Sequence, residues 1–353
     1  YKRQRDMIGP AESIPSISGI ASDDRAKVNN ATLRNRGWEL SVSWNDKLKC
    51  GFSYGIGFNV FNYKAVVTKY NNPEGIIYNN HTGLAANKGY YEGMDIGEIW
   101  GYRADDLFLS NREIDDYLRN VNLTAFKSND LWRRGDLKYI DANGDGRVDG
   151  GKGTLADHGD LQIIGNTTPK YSFGINLNLG YKGFEISTLL QGVAKRDFPI
   201  SGSNYMFGGN NYNFKEHLDY FSTENPNGYL PRLTGWKDDK DFLVNTGYNT
   251  TRYLLNAAYM RMKNLTVGYT FNKKQLRHIG ISNLKVYVTC DNLFTVTKLP
   301  KQFDPETLNQ VNMSAGGDAQ NTAPGLTSPM KQNGNGMVYP MNRNFVFGLD
   351  FTF

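Results

Sequence analysis

Residues 141–149 have the residue types and the spacing of a calcium-binding loop. Hard oxygen ligands at alternate positions suit calcium, and Gly146 at position 6 permits the sharp turn that such a loop needs. The predicted ligands are the side chains of Asp141, Asn143, Asp145 and Asp149 and the backbone carbonyl of Arg147. The sequence therefore predicts a Ca²⁺ site in this loop.

The same loop departs from a complete calcium site at its end. Position 12, where a glutamate would bind the ion through both oxygens, is Lys152. The site is complete only if Asp157 or Asp160 supplies a carboxylate. The alternative is a turn rich in Asn, Asp and Gly that is held by its own side-chain hydrogen bonds.

No other pattern of reactive side chains points to catalysis. The four histidines are scattered, and the two cysteines lie outside any motif: His81, His158, His217, His278, Cys50 and Cys290. Neither a metal cluster nor a nucleophile with its base is indicated. The net charge of +5 is spread through loops and turns, so nucleic-acid binding is not expected either.

The composition excludes several classes of protein. The 353 residues are 39% hydrophobic and 21% charged, and their mean hydropathy is -0.55. No apolar run approaches the roughly 18 residues of a membrane helix. Two cysteines cannot hold a chain of this length together, and 13% aromatic residues argue against disorder. A strand-rich protein with long polar loops remains.

Apolar and polar residues alternate with a period of two in seven stretches. Large apolar side chains occupy one face, and Gly, Ser, Asn or Thr occupy much of the other, because successive side chains of a strand point in opposite directions. The stretches are residues 38–44, 51–60, 171–181, 184–190, 265–271, 284–289 and 344–353. Each is interpreted as a β-strand.

Two architectures can use such strands: a soluble sandwich and a transmembrane barrel. Strand length, and aromatic residues at strand ends such as Tyr171 and Tyr181, favour the barrel. The connections also alternate between short ones at 45–49, 182–183 and 272–280 and long ones at 64–169, 195–257 and 298–341. An antiparallel transmembrane β-barrel with long loops on one side is therefore predicted.

The predicted organisation has two parts. Residues 1–33 are interpreted as a polar loop entered midway, and residues 34–353 as part of the barrel. Seven strands cannot enclose a wide lumen, and an open sheet edge cannot face lipid, so further strands are expected in sequence not shown here. If the last strand ends in the periplasm, the three long loops are all extracellular.

Four segments resemble the C-terminal part of the SusC/RagA family of TonB-dependent outer-membrane transporters of Bacteroidetes. They are residues 101–108 (GYRADDLF), 136–146 (DLKYIDANGDG) with 164–171 (IGNTTPKY), 259–269 (YMRMKNLTVGY), and 291–294 (DNLF) with the closing Phe-x-Phe. Each motif is short, but their order and spacing over residues 34–353 make the joint match specific.

The resemblance implies a barrel of about 22 strands, plugged by an N-terminal domain and embedded in outer-membrane lipid. It implies energised import of a nutrient, an oligosaccharide or alternatively a peptide, with TonB and a SusD-like surface lipoprotein as partners. Homodimerisation of the complex is a further expectation, and no enzyme activity is implied. The plug and the TonB-contacting segment are not in this sequence. A passive porin or adhesin barrel is the alternative from another class.

Six aromatic residues in the predicted outer loops are candidates for contact with substrate or lipoprotein. Aromatic rings combine a large apolar area with a polar handle in Tyr and Trp, which suits stacking on sugars. The alternative role is packing of the loops against one another. The candidates are Trp100, Tyr102, Trp132, Tyr205, Tyr212 and Trp236.

Overall fold

The computed structural model describes residues 1–10, 27–77, 90–104, 106–200, 215–234, 241, 243–272, 276, 280–308 and 341–352. The strands are β1 (Lys2–Pro10), β2 (Lys27–Lys47), β3 (Ser53–Lys69), β4 (Glu98–Gly101), β5 (Asp106–Leu107), β6 (Leu137–Lys138), β7 (Gln162–Asn166), β8 (Lys170–Tyr181), β9 (Phe184–Lys195), β10 (Asp197–Pro199), β11 (Leu254–Asn256), β12 (Tyr259–Thr270), β13 (Asn283–Asp291), β14 (Thr295–Thr297) and β15 (Asn344–Thr352). Helix α1 (Asn111–Leu118) and the short helices Asn129–Leu131, Lys215–Leu218 and Leu243–Gly247 complete the described elements.

One large antiparallel sheet dominates the structure. Its strands follow the order β1-β2-β3-β8-β9-β12-β13-β15, with β14 also paired to β12. Every neighbour in this order is the next long strand along the chain, as in a meander. The predicted all-β class is confirmed. No described helix has the length and apolar character required to cross a bilayer.

The structure corrects the prediction of a loop over residues 1–33. Lys2–Pro10 form strand β1, which pairs with β2, and β2 already begins at Lys27. At about 3.3 Å per residue, the 21 residues of β2 span ~69 Å, far more than an apolar band about 25 Å tall requires. The first part of the strand, residues 27–37, lacks the apolar alternation on which the prediction relied.

The strand register gathers the apolar positions on one face, which we call the apolar face. One row across five strands consists of Val42, Phe58, Ile175, Leu190 and Met262. Val42 is 56% exposed although it is apolar, as are many residues of this face. A soluble protein rarely leaves an apolar surface of this extent open to water.

The opposite face, which we call the polar face, carries small and hydrogen-bonding residues. Its row next to the first one is Ser43, Gly57, Asn176, Leu189 and Asn264, in which Leu189 is the one large apolar side chain. The predicted division of the strands into two faces is therefore reproduced by the register.

Aromatic side chains mark both ends of the apolar face. At the end where the long loops begin, the ring centroids of Trp38 and Tyr171 lie 6.5 Å apart. At the short-turn end, the ring centroids of Phe184 and Tyr269 lie 4.6 Å apart. The ten residue steps from Tyr171 to Tyr181 extend ~33 Å along the strand, or about 25 Å along the membrane normal if the strand is tilted. This separation matches the height of a membrane-facing band.

The three long loops fold into one body at one end of the sheet, which we call the loop body. Its described parts are residues 70–77, 90–104, 106–169, 198–200, 215–234, 243–257 and 299–308, and their buried side chains form one cluster. Val67 and Ala65, at polar-face positions of β3, are buried beneath it. The amide of Val67 donates to the carbonyl of Met94 at 2.9 Å. The loop body therefore folds toward the polar side of the sheet.

Candidate functional site

The acidic loop at 141–149 is built around a buried carboxylate. Asp160, 1% exposed, accepts hydrogen bonds from the amides of Ala142 (2.7 Å), Asn143 (3.3 Å) and Asp149 (2.9 Å). Burial raises the pKa of Asp160, and its three backbone donors oppose that rise. Val148, fully buried, anchors the loop in the core. Asp160, one of the two residues proposed to complete the site, therefore closes the loop by accepting hydrogen bonds from its backbone.

The predicted ligand oxygens also bind backbone amides. Asp141 accepts from Gly144 at 2.6 Å and from Gly146 at 2.8 Å through its two oxygens. Asn143 and Asp145 each accept from the amide two residues later, at 2.9 Å. These are the side-chain hydrogen bonds of the alternative interpretation, and they account for the shape of the loop without an ion.

Arg147 places a positive charge between two of the predicted ligands, Asp145 and Asp149. Its Nε lies 3.3 Å from Asp145 Oδ2 and 3.0 Å from Asp149 Oδ2. Within the described part of the chain, no three His, Cys, Asp or Glu side chains are placed to hold a metal ion. Calcium binding stays a prediction, and it requires the Arg147 guanidinium to move away from both carboxylates.

A calorimetric titration of the full-length protein tests this prediction. We expect heat of Ca²⁺ binding from the native protein and its loss in Asp141→Ala, because this residue supplies the first ligand of the loop. Asp115→Ala, on the exposed side of α1, is the control and should bind calcium as the native protein does. Absence of calcium uptake by the native protein would leave the hydrogen-bonded turn as the correct interpretation.

Three of the six candidate aromatic residues lie in the described structure. Tyr102 and Trp132 are each 3% exposed, inside the aromatic core of the loop body. Trp100 is half-buried, and its indole N–H donates to the Tyr91 hydroxyl at 3.3 Å. Burial of Tyr102 and Trp132 favours loop packing over direct stacking on a substrate. Tyr205, Tyr212 and Trp236 lie outside the described residues.

An ionic cluster that the sequence analysis did not predict connects the first two long loops. It consists of Lys127, Asp136, Arg232, Asp241 and Asn245. Lys127 Nζ lies 2.7 Å from Asp136 Oδ2 and 2.5 Å from Asp241 Oδ1. Arg232 Nε lies 2.6 Å from Asp136 Oδ1, and Asn245 Nδ2 donates to the same oxygen at 2.9 Å.

The centre of this ionic cluster is buried. The side chains of Lys127 and Asp136 are fully buried, whereas those of Arg232 and Asp241 are about a quarter exposed. Arg232 and Asp241 also pair with each other. Because a buried charge is costly unless it is paired and hydrogen-bonded, the two loops can pack only with all these groups in place. In the sequence, Asp136 stood out only as the first residue of the motif at 136–146. That motif gives no indication of a partner elsewhere in the chain.

Acid should weaken this cluster. Burial alone would raise the pKa of Asp241, but hydrogen bonds from Lys127 and Arg232 hold it below its ordinary value. A carboxylate with a lowered folded-state pKa contributes stability above its unfolded pKa, and this contribution is lost as the pH falls through the folded value. We therefore expect the tryptophan fluorescence of the loop body to shift below about pH 4. Emission that stays unchanged however far the pH is lowered below about 4 would contradict this expectation, and Asp241→Asn should reduce the shift.

Further cations fasten the loop body to the sheet. Arg261, on the polar side of β12, is 4% exposed and pairs with Asp304 and Glu306 of the third loop, at 2.9 Å each. Arg196, just after β9, donates to the Thr167 carbonyl at 3.0 Å and to the Leu308 carbonyl at 2.8 Å. The first and third loops are thus tied to the sheet through charged hydrogen bonds.

Comparison with known proteins shows that the chain is similar in sequence to several receptors. No family model matches the chain. TonB-dependent receptor P3 of Formosa agariphila is 25% identical over 354 residues, which are 99% of this chain and 31% of that receptor. TonB-dependent receptor SusC of Bacteroides thetaiotaomicron is 21% identical over 318 residues, which are 88% of this chain and 28% of SusC. Both relatives are named as TonB-dependent receptors, in agreement with the resemblance.

A solved structure shares the fold. The RagAB peptide transporter matches with a TM-score of 0.61 and 19% identity, over 99% of this chain and 32% of that chain. This likeness confirms the predicted transmembrane-barrel class for the sheet. The chain spans about a third of the length of the curated relatives named here. Over nearly its whole length, this chain is therefore similar in sequence and in fold to about one third of a SusC/RagA-like TonB-dependent receptor.

Proposed function

We propose that this chain forms part of the wall and the outer loops of an outer-membrane receptor that imports a nutrient with energy from TonB. The observation that carries the proposal is a sheet with one apolar and one polar face whose long loops fold into one body at one end only. A barrel exposes its apolar face to lipid and its polar face to the lumen. A loop body folded toward the polar side then lies over the mouth of the lumen.

The same proposal gives the orientation and the partners. The loop body is extracellular, and the chain ends in the periplasm after β15, because barrels of this type have short periplasmic turns and long outer loops. The partners are the plug and remaining strands of the same receptor, TonB, and a SusD-like surface lipoprotein, with a homodimer of the whole complex. The likeness to SusC and to RagAB supports these assignments.

An oligosaccharide is the proposed substrate class. The polar face presents mainly uncharged hydroxyl and amide groups, and its Glu185 and Lys285 neutralise each other at 2.5 Å. Uncharged hydrogen-bonding groups suit a polyhydroxylated ligand better than a charged one. The alternative is a peptide, which the solved RagAB peptide transporter supports.

Uptake measurements with the full-length receptor test the proposal. Cells that carry the receptor should accumulate fluorescent oligosaccharides, and deletion of TonB should abolish this accumulation. Uptake that survives loss of TonB would indicate a passive porin, and binding without uptake would indicate an adhesin. TonB-dependent uptake of labelled peptides instead of oligosaccharides would keep the import function and correct the substrate.

A further inference from the structure

The short-turn end of the apolar face carries an aromatic platform, formed by Phe52, Tyr54 and Tyr181. The ring centroids of Phe52 and Tyr54 lie 6.1 Å apart, and those of Phe52 and Tyr181 lie 6.4 Å apart. Trp44 donates its indole N–H to the Tyr54 hydroxyl at 3.4 Å. The platform joins the turn after β2 to the turn after β8, because β3 and β8 are paired neighbours.

A lysine side chain lies over this platform. The Lys182 Nζ lies 5.0 Å from the centroid of the Tyr181 ring. Tyr181 is 41% exposed and pairs with Phe184, an apolar-face residue of β9. The ammonium group is therefore on the lipid side of the rim, not over the lumen.

The backbone fixes Lys182 in this place. Lys182 and Gly183 form the two-residue turn between β8 and β9, with φ of 48° and 92°. Such values are typical of the tight hairpin turn whose twist matches that of the strands. A Cβ on Gly183 would lie only 2.6 Å from the carbonyl oxygen of Thr270 in β12, so the turn packs closely against the end of that strand. The lysine is thus presented by a rigid element.

The charge at this rim is positive on balance. Lys182 forms no ion pair with a carboxylate of the described residues. At the adjacent turn, Lys47 and Lys49 each add a positive charge and Asp46 adds one negative charge, whose carboxylate accepts a hydrogen bond from the Lys47 amide at 2.7 Å. An ammonium at the end of an apolar, aromatic band lies at the depth of lipid headgroups.

We propose that Lys182 and the aromatic platform form a binding site for the phosphate of an anionic phospholipid. The rings contact the glycerol and the upper acyl chain, and the ammonium group pairs with the phosphate. A net negative headgroup is preferred because a zwitterionic lipid brings its own cation, which competes for the same phosphate. This inference rests on the membrane placement proposed above.

Lipid retention by the full-length receptor tests the site. The receptor is reconstituted into nanodiscs of equal parts phosphatidylglycerol and phosphatidylcholine, extracted into detergent, and analysed for retained lipid by mass spectrometry. We expect about fivefold enrichment of phosphatidylglycerol, the factor that one lysine gives at an anionic surface. Lys182→Gln should reduce the enrichment to near unity, whereas Lys152→Gln, an exposed loop lysine, should leave it unchanged.

Variants of Tyr181 separate lipid binding from folding. Tyr181→Phe retains the ring and should retain the enrichment, and Tyr181→Leu should lower it while the barrel still inserts. Equal retention of the two lipids by the native receptor, or full enrichment in Lys182→Gln, would overturn the proposal. Either result in a receptor that still inserts and imports would leave the transport function untouched, whereas failure to insert would instead contradict the proposed function.

Discussion

Replacing Asp136 by alanine is expected to open the loop body while the barrel wall stays folded. The substitution removes a fully buried carboxylate and takes one partner from the fully buried Lys127 and one from the partly exposed Arg232. Breaking a buried ion pair from one side typically costs about 3–5 kcal/mol, and here Asp241 is left as the single carboxylate for both cations. The first and second long loops should therefore lose their joint packing.

Hydrogen exchange in the full-length protein measures this effect. Backbone amides such as that of Leu137, which donates to Asn245 Oδ1 at 2.9 Å, should exchange at least roughly a hundredfold faster in Asp136→Ala. Amides of β8 and β9 should exchange as in the native protein. Asp130→Ala, at an exposed position of the same loop, is the matched control and should change stability by less than about 0.5 kcal/mol. Native protection of Leu137 in Asp136→Ala would show that the ionic cluster does not hold the loops together.

Replacing Leu177 by arginine is expected to destabilise the wall itself. Leu177 lies near the middle of β8 on the apolar face, in register with Ile56 and Thr188. Arginine near the bilayer midplane on a lipid-facing barrel position costs about 2–4 kcal/mol. The effect should appear as a smaller fraction of heat-resistant, folded receptor in outer-membrane extracts.

The neighbouring residue provides the control for this substitution. Asn176 precedes Leu177 and points to the polar face, where its Cβ lies 3.6 Å from the position that a Cβ on Gly57 would occupy. Asn176→Arg adds the same charge to the lumen side and should fold nearly as the native protein does. Equal loss of folded receptor in both variants would mean that the apolar face does not contact lipid.

The strands that cross the proposed membrane were predictable because lipid and lumen impose opposite requirements on successive residues. Tyr171 to Tyr181 alternates without a break, and β8 covers this range. Strand β1 gave no such signal, since Arg3, Gln4 and Arg5 show no apolar alternation. This strand forms through backbone hydrogen bonds to β2, and such bonds do not require any particular pattern of side chains.

The interior of the loop body could not be read from the sequence. The contact between Lys127 and Asp241 joins residues 114 apart in the chain, and nothing local to either residue indicates the other. Tyr102 and Trp132 were predicted as candidates because of their type and their place in long loops. Loops that fold into a core of their own bury such residues, so residue type alone did not distinguish contact from packing.

The orientation of the receptor tests the account most directly, and Cys50, the exposed one of its two cysteines, provides a native site for labelling. Cys50 is exposed in the short turn after β2, and Lys152 is exposed in the loop body. Intact cells are treated with a maleimide polymer too large to enter through porins. The account predicts that Lys152→Cys, made in a Cys50→Ser background, is labelled on intact cells, and that native Cys50 is labelled only after the outer membrane is permeabilised. Labelling of Cys50 on intact cells, or protection of the cysteine at position 152, would contradict it.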